Sequence, residues 1–289
     1  MNKKYRIAVS VLLFLVVAYL GLSHYATDAA RARIDAATKK WPPNTFVYKD
    51  ISHNLFTRQT VISGVSILPP GGVMTTRIDK IVIRRLSDDA PNPSSLAVDI
   101  QGMTIDPAAL GGADAARFTA LGYTGPLSCD MGIDYDYAKD KRELAINAVT
   151  LSVRDVCALR LSLTLGNLDF DPNQAAKLLF IYPSILLARA ELVYTDASLM
   201  DRVLKQEAAK KGVDVATLKK TMLDDADAAL QKAQNPPSAE IVAALKQFIE
   251  NPRQLSISLT PARPVPLGDI GRAGSPEAVA KLLNLQVKS

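Results

Sequence analysis

From Leu127 to Tyr137 the chain keeps an apolar side chain at every odd position: Leu127, Cys129, Met131, Ile133, Tyr135 and Tyr137. Ser128, Asp130, Asp134 and Asp136 stand between them. Successive side chains of a strand point to opposite faces, so this period of two predicts one buried and one wetted sheet face. Lys139-Asp140-Lys141-Arg142 reads as the turn out of the strand and Leu144 to Val153 as the return. After Arg154-Asp155, Cys157, Leu159, Leu161, Leu163 and Leu165 form a third strand in register. Three strands joined by short polar turns make an antiparallel meander.

The flanking sequence extends this pattern. Thr45 to Ile51, Thr60 to Leu68, Met74 to Leu86 and Leu96 to Ile105 read as strands, interrupted by Pro69-Pro70-Gly71-Gly72 and the turn-rich Ser87 to Ser95. Helical turns are expected between Asp106 and Leu121, and Asp171-Pro172 opens a helix to about Tyr182. Ile185 to Thr195 returns as a strand in which Ala188, Ala190, Leu192 and Tyr194 share a face. Three helices come next. The first starts at Ser198, with Asp201 three residues on, and ends at Gly212. The second is capped by Asp214. The third is capped by Ser238 and carries Ile241, Ala244, Leu245, Phe248 and Ile249 as an apolar stripe. Leu255, Ile257 and Leu259 mark a last strand, and Ser275-Pro276 a final short helix to about Leu283.

The leading segment decides the expected compartment. Ile7 to Leu22 is apolar throughout, with Ile7, Val11, Leu12, Leu13, Phe14, Leu15, Val16, Val17, Leu20 and Leu22 as its bulk, behind Lys3, Lys4 and Arg6. Together with residues up to Ala26 it approaches the roughly 20 residues a membrane span requires. A basic tail before the span predicts that the remainder of the chain is exported. A cleaved signal peptide, cut after Ala26 or Ala29, is the competing reading. Residues 27–40 read as a helix continuing the anchor, stopped at Trp41-Pro42-Pro43. The expected placement is therefore a bacterial inner membrane, single-pass, with the bulk of the chain in the periplasm and the lipid bilayer as its first partner.

In that compartment the pair Cys129 and Cys157 is expected to form a disulfide, closing a loop of about 28 residues and contributing roughly 3–4 kcal/mol. A flat meander places one strand between them, which argues for buried free thiols instead. The net charge of +5 comes from scattered basic residues. It suits anionic headgroups better than nucleic acid, which is not an expected partner.

Catalytic chemistry finds little footing. The two histidines are His24 and His53, and no His-Glu-x-x-His, Gly-x-Ser-x-Gly, phosphate-loop or Cys-x-x-Cys motif occurs. Asp130, Asp134 and Asp136 share one strand face and could hold a cation or form an acid/base pair, although a solvated sheet face accounts for them and their spacing does not match a calcium loop. No catalytic residue, cofactor or metal site is expected.

Thr60 to Leu68, Tyr194 to Arg202 and Leu259 to Leu267, set in a layout of short basic tail, single anchor and β-rich body, resemble bacterial inner-membrane-anchored periplasmic proteins of the AsmA-like kind. That resemblance implies a sheet with an apolar inner face that handles envelope lipid, and it transfers no functional residue. The expected fold class is α+β, an N-terminal transmembrane helix followed by a mostly antiparallel, curved β-sheet flanked by a C-terminal helical excursion. Its segments are 1–26 as tail and anchor, 27–197 as β-rich region, 198–251 as helical excursion, and 252–289 as strand and helix rejoining the β-rich region. The expected function is non-enzymatic binding or shielding of a hydrophobic ligand such as phospholipid. A scaffold or accessory subunit docking another envelope protein is the alternative.

Overall fold

The computed structural model describes all residues except 1–21, 37, 40–41, 43–44, 69–75, 88–92, 111, 170–180 and 234–235. The chain divides into two compact units. Met1–Leu86 and Val98–Thr104 belong to the first, Ser87–Ala97 and Ile105–Ser289 to the second.

In the first unit a helix, α1 (residues 22–36), accompanies strands β1 (Phe46–Val47), β2 (Asp50–Asn54), β3 (Gln59–Ile67), β4 (Thr76–Leu86) and the middle of β5 (Ser95–Ile105). β1 and β2 both pair antiparallel with β3, which pairs antiparallel with β4. The break between β1 and β2 lies opposite Gly64, whose φ is +61° and where a Cβ would meet the Lys49 side chain at 2.7 Å. Only glycine suits that backbone and that approach. Ile51, Ile62, Val65 and Ile78 form the core, with Ala30 and Ile34 of α1 packed on it. The β2–β3 turn is held by the Asn54 carboxamide oxygen, which accepts the backbone N–H groups of Phe56 and Thr57.

The second unit is the expected meander, enlarged. β6 (Leu127–Ala138), β7 (Glu143–Val153), β8 (Cys157–Gly166), β9 (Leu186–Asp196), β10 (Gln254–Leu259) and β12 (Leu285–Lys288) lie side by side, every pair antiparallel, and β11 (Val265–Pro266) adds to β9. Helices α2 (Gly112–Ala120), α3 (Leu199–Lys211), α4 (Val215–Lys232), α5 (Ala239–Glu250), α6 (Leu267–Arg272) and α7 (Pro276–Leu283) complete it. Asp214, Ser238 and Ser275 cap their helices through Thr217, Ile241 and Ala278 N–H, and Gly212 closes α3 in the left-handed region. Ser198 does not cap α3. Asp196 accepts the Met200 N–H instead, and the Ser198 hydroxyl donates to the Asp155 carbonyl. Leu204, Ala208 and Leu218 join α3 to α4, and Lys246 of α5 pairs with Asp227 of α4.

Several expectations are overturned. The membrane anchor over Ile7–Leu22 is not found. Ile7, Val11, Leu12, Leu13, Phe14, Leu15, Val16, Val17 and Leu20 lie outside the described residues, and Leu22 lies in α1, where it is 61% exposed. Among the described residues no helix is long and apolar enough to cross a membrane. The described part of α1 carries Asp28, Arg31, Arg33 and Asp35, charges that a hydrocarbon core does not accommodate. The fold class is thus α+β, antiparallel sheet with helices, without the N-terminal transmembrane helix. The single-pass inner-membrane placement with its periplasmic body loses its support.

The Cys129–Cys157 disulfide is not formed, and both cysteines are free. Cys129 on β6 and Cys157 on β8 both register with Val153 of the strand between them. Two strand spacings are about 9.6 Å, beyond the reach of a bridge. The helix expected from Asp171 lies outside the described residues up to 180. A short strand, β12, and a short helix, α6, appear where none was expected.

Candidate functional site

The apolar face of the second unit is a ladder of rows running across the strands. Tyr137, Leu144, Leu165, Leu187 and Val265 form one row; Tyr135, Ile146, Leu163, Ala190, Leu259 and Leu285 the next. Above them come Ile133, Val149, Leu161, Leu192, Ile257 and Val287, then Met131, Leu151, Leu159, Tyr194 and Leu255. Cys129, Val153 and Cys157 close the ladder. The rows stay aligned through register shifts beside Asn147 on β7 and at Thr164/Leu165 between β8 and β9.

The two ends of this face are covered. Tyr137, Leu144, Leu168 and Ile185 make one buried cluster, and Leu187, Val265 and Leu283 another, roofed by Leu267, Ile270 and Val279 of α6 and α7. At the opposite end Cys129 is fully buried, and Phe248 of α5 packs edge-on against Tyr194 with ring centroids 5.9 Å apart. Between the ends the face is open. Met131 is 40% exposed, Ile133 38%, Val149 36% and Leu192 38%, while Leu161 and Ile257 are half-buried. The Ile133 row crosses six strands, about 24 Å, and Met131 stands about 7 Å from it along β6.

This belt offers apolar contact and almost nothing else. The Ile133 row is wholly aliphatic, the Tyr135 hydroxyl donates to the Pro93 carbonyl, and the Tyr194 hydroxyl to the Asp196 carboxylate. Burial, reinforced by Asp196, holds the Tyr194 hydroxyl well above the usual phenol range, and burial raises Tyr135 too. Burial pushes the Cys129 thiol up, with Asp130 and Cys157 adding to it. Burial and then Asp196 do the same for Cys157, so both stay protonated and poorly nucleophilic at neutral pH.

The acidic residues singled out from the alternation lie on the other face. The Asn147 amide donates to Asp134 Oδ1 at 3.0 Å and to Asp136 Oδ2 at 2.8 Å, bridging the two carboxylates. Among the described residues no group of His, Cys, Asp and Glu could hold a metal ion. His53 is structural: its Nδ1 lies 2.9 Å from Thr60 Oγ1, and its backbone N–H donates to Thr27 Oγ1. His24 pairs with Asp28 within α1.

The alternation predicts which residues share the apolar face but not which rows stay uncovered. That depends on where α5, α6 and α7 come to rest. Residues 150–289 match a family model described as an uncharacterized protein. No curated protein matches the chain.

Proposed function

We propose that the protein is a non-enzymatic carrier or shield for an acyl chain, held on the belt of Met131, Ile133, Val149, Leu161 and Leu192. The single observation behind this reading is an aliphatic surface left open in the middle of a sheet whose two ends are packed. Folded proteins rarely leave contiguous aliphatic surface in water without a binding role. The backbone hydrogen bonds of these strands are consumed within the sheet, so an occupant gains only apolar burial, about 0.8 kcal/mol per methylene. An acyl chain lying along the row meets that condition and leaves no polar group unpaired.

Titration of the purified full chain with methyl cis-parinarate, a neutral fluorescent acyl ester, tests the reading. Saturable binding is expected, weakened at least tenfold by the pair Ile133→Ser and Leu192→Ser, with far-UV circular dichroism unchanged. Absence of saturable binding, or equal binding by the double variant, refutes it. A partner subunit docking on α3 to α5 is a second reading, favoured by Leu245, 41% exposed on α5, and by a 500 Å³ hollow lined by Leu230, Pro236 and Val242. Protection of residues 198–251 from crosslinkers by a co-purifying protein would support it.

A further inference from the structure

At the β12 side of the second unit's sheet, a slot of 420 Å³ lies between α5 and α7. Pro236, Pro237 and Ile241 line it from the start of α5, and Leu285 lines it from the start of β12. On α7, Pro276, Glu277, Ala280 and Lys281 recur at the spacing that puts them on one helical face, while Val279 and Leu283 of the same helix pack on the sheet. The slot stands on the same ladder as the belt. Leu285 registers with Leu259 on β10, and Ile257, two residues earlier on β10, registers with Leu192. From Leu192 on β9 to Leu285 is two strand spacings and one rung, about 12 Å.

The slot differs from the belt in carrying charge of both signs. Glu277 and Lys281 are exposed at its rim, four residues apart, with the acid first. That order favours a direct pair on a helix, and α3 closes a four-residue pair of its own between Asp201 and Lys205 at 2.6 Å. Among the described residues Glu277 and Lys281 take part in no ion pair. A bare anion beside Lys281 meets the repulsion of Glu277 one turn away, and an uncharged head gains from neither. A head carrying both signs is attracted at both ends. The volume, at the small end of the ligand-pocket range, suits such a head and the first carbons behind it.

We infer that this slot receives the polar head of the belt's occupant and that the head is zwitterionic, its phosphate beside Lys281, its ammonium beside Glu277, and its first methylenes on Ile241, Ala280 and Leu285. The inference rests on the acyl-belt reading, and the test separates the two.

Displacement of methyl cis-parinarate from the full chain compares three myristoyl probes below their aggregation concentrations: lysophosphatidylethanolamine, which carries both charges, lysophosphatidylglycerol, which is anionic, and monomyristoylglycerol, which is uncharged. The zwitterionic probe is expected to displace the ester at a concentration at least tenfold lower than either of the others. Glu277→Gln and Lys281→Gln, both at exposed positions, should each remove that advantage and leave binding of the ester itself unchanged. Equal displacement by the three probes overturns the inference, as does tightest displacement by the anionic probe, or an undiminished advantage in both variants. In each of those cases saturable binding of the ester leaves the belt standing. If the ester does not bind the wild type, the belt fails and this inference falls with it.

Discussion

Leu187 and Leu192 lie five residues apart on β9 and face the same side of the sheet, yet truncating them will have different costs. Leu187 is 5% exposed and packs with Val265 and Leu283. Leu187→Ala removes that contact and leaves a cavity, which costs about 2.7–5 kcal/mol for a buried leucine. Leu192 is 38% exposed. Roughly 60% of a full leucine burial energy of 1.5–3 kcal/mol gives about 1–2 kcal/mol, with no cavity term because water fills the space. Hydrogen exchange read by mass spectrometry on peptides from β8 to β10 measures the opening free energy of this sheet directly. Ligand adds a second, opposite contrast. At a free concentration of 100 times its Kd, methyl cis-parinarate should stabilise the wild type by about 2.7 kcal/mol. That gain should shrink in Leu192→Ala and persist in Leu187→Ala. Equal losses above about 3 kcal/mol at both positions, or ligand stabilisation unaffected by Leu192→Ala, would show that the belt is ordinary core and refute the reasoning.

Two further outcomes are expected. Asn147→Ala removes the donor shared by Asp134 and Asp136 and should cost about 1 kcal/mol in urea unfolding, the site being exposed. Asn147→Asp should cost more in the same assay, because a third carboxylate joins the pair. Stability should also decline in alkali. Cys129 and Cys157 are raised above their ordinary value of 9.0, Tyr135 and Tyr194 above 10.0, so the unfolded chain releases protons that the folded chain retains. The stability these groups contribute is complete below pH 9 and is lost as pH climbs through their raised values, visible as a urea midpoint that holds up to pH 9 and drops above it. Cys129→Ser should flatten that drop.

The meander was legible because its signal is local. Six odd positions from Leu127 to Tyr137 needed nothing beyond the two-residue repeat, and Asp214, Ser238, Ser275 and Gly212 mark helix ends by short-range chemistry. Where two local solutions compete, tertiary contact decides. Ser198 has the right spacing to Asp201 for a cap, but its hydroxyl is taken by the Asp155 carbonyl and Asp196 takes over. On β9 the even-numbered run suggested Ala188 in the inner row, whereas the register shift brings Leu187 opposite Leu165. The belt was not legible, because it is defined by what the covering helices fail to reach. The apolar leading stretch pointed to a bilayer, yet the segment after it folds into a charged helix packed on the first unit's core.

Asn147 has a role beyond its hydrogen bonds. On β7, Leu144 and Ile146 face inward from even positions, and Val149, Leu151 and Val153 from odd ones. The extra residue at the shift is a change of parity built into the strand. Deleting it would not shorten β7 locally; it would turn Leu144 and Ile146 towards the wet carboxylates and press Glu143 and Ala145 against Leu168. Length changes between Leu144 and Val149 are therefore tolerable only in steps of two, and the hairpin through Lys139–Arg142 inherits that arithmetic from a single asparagine.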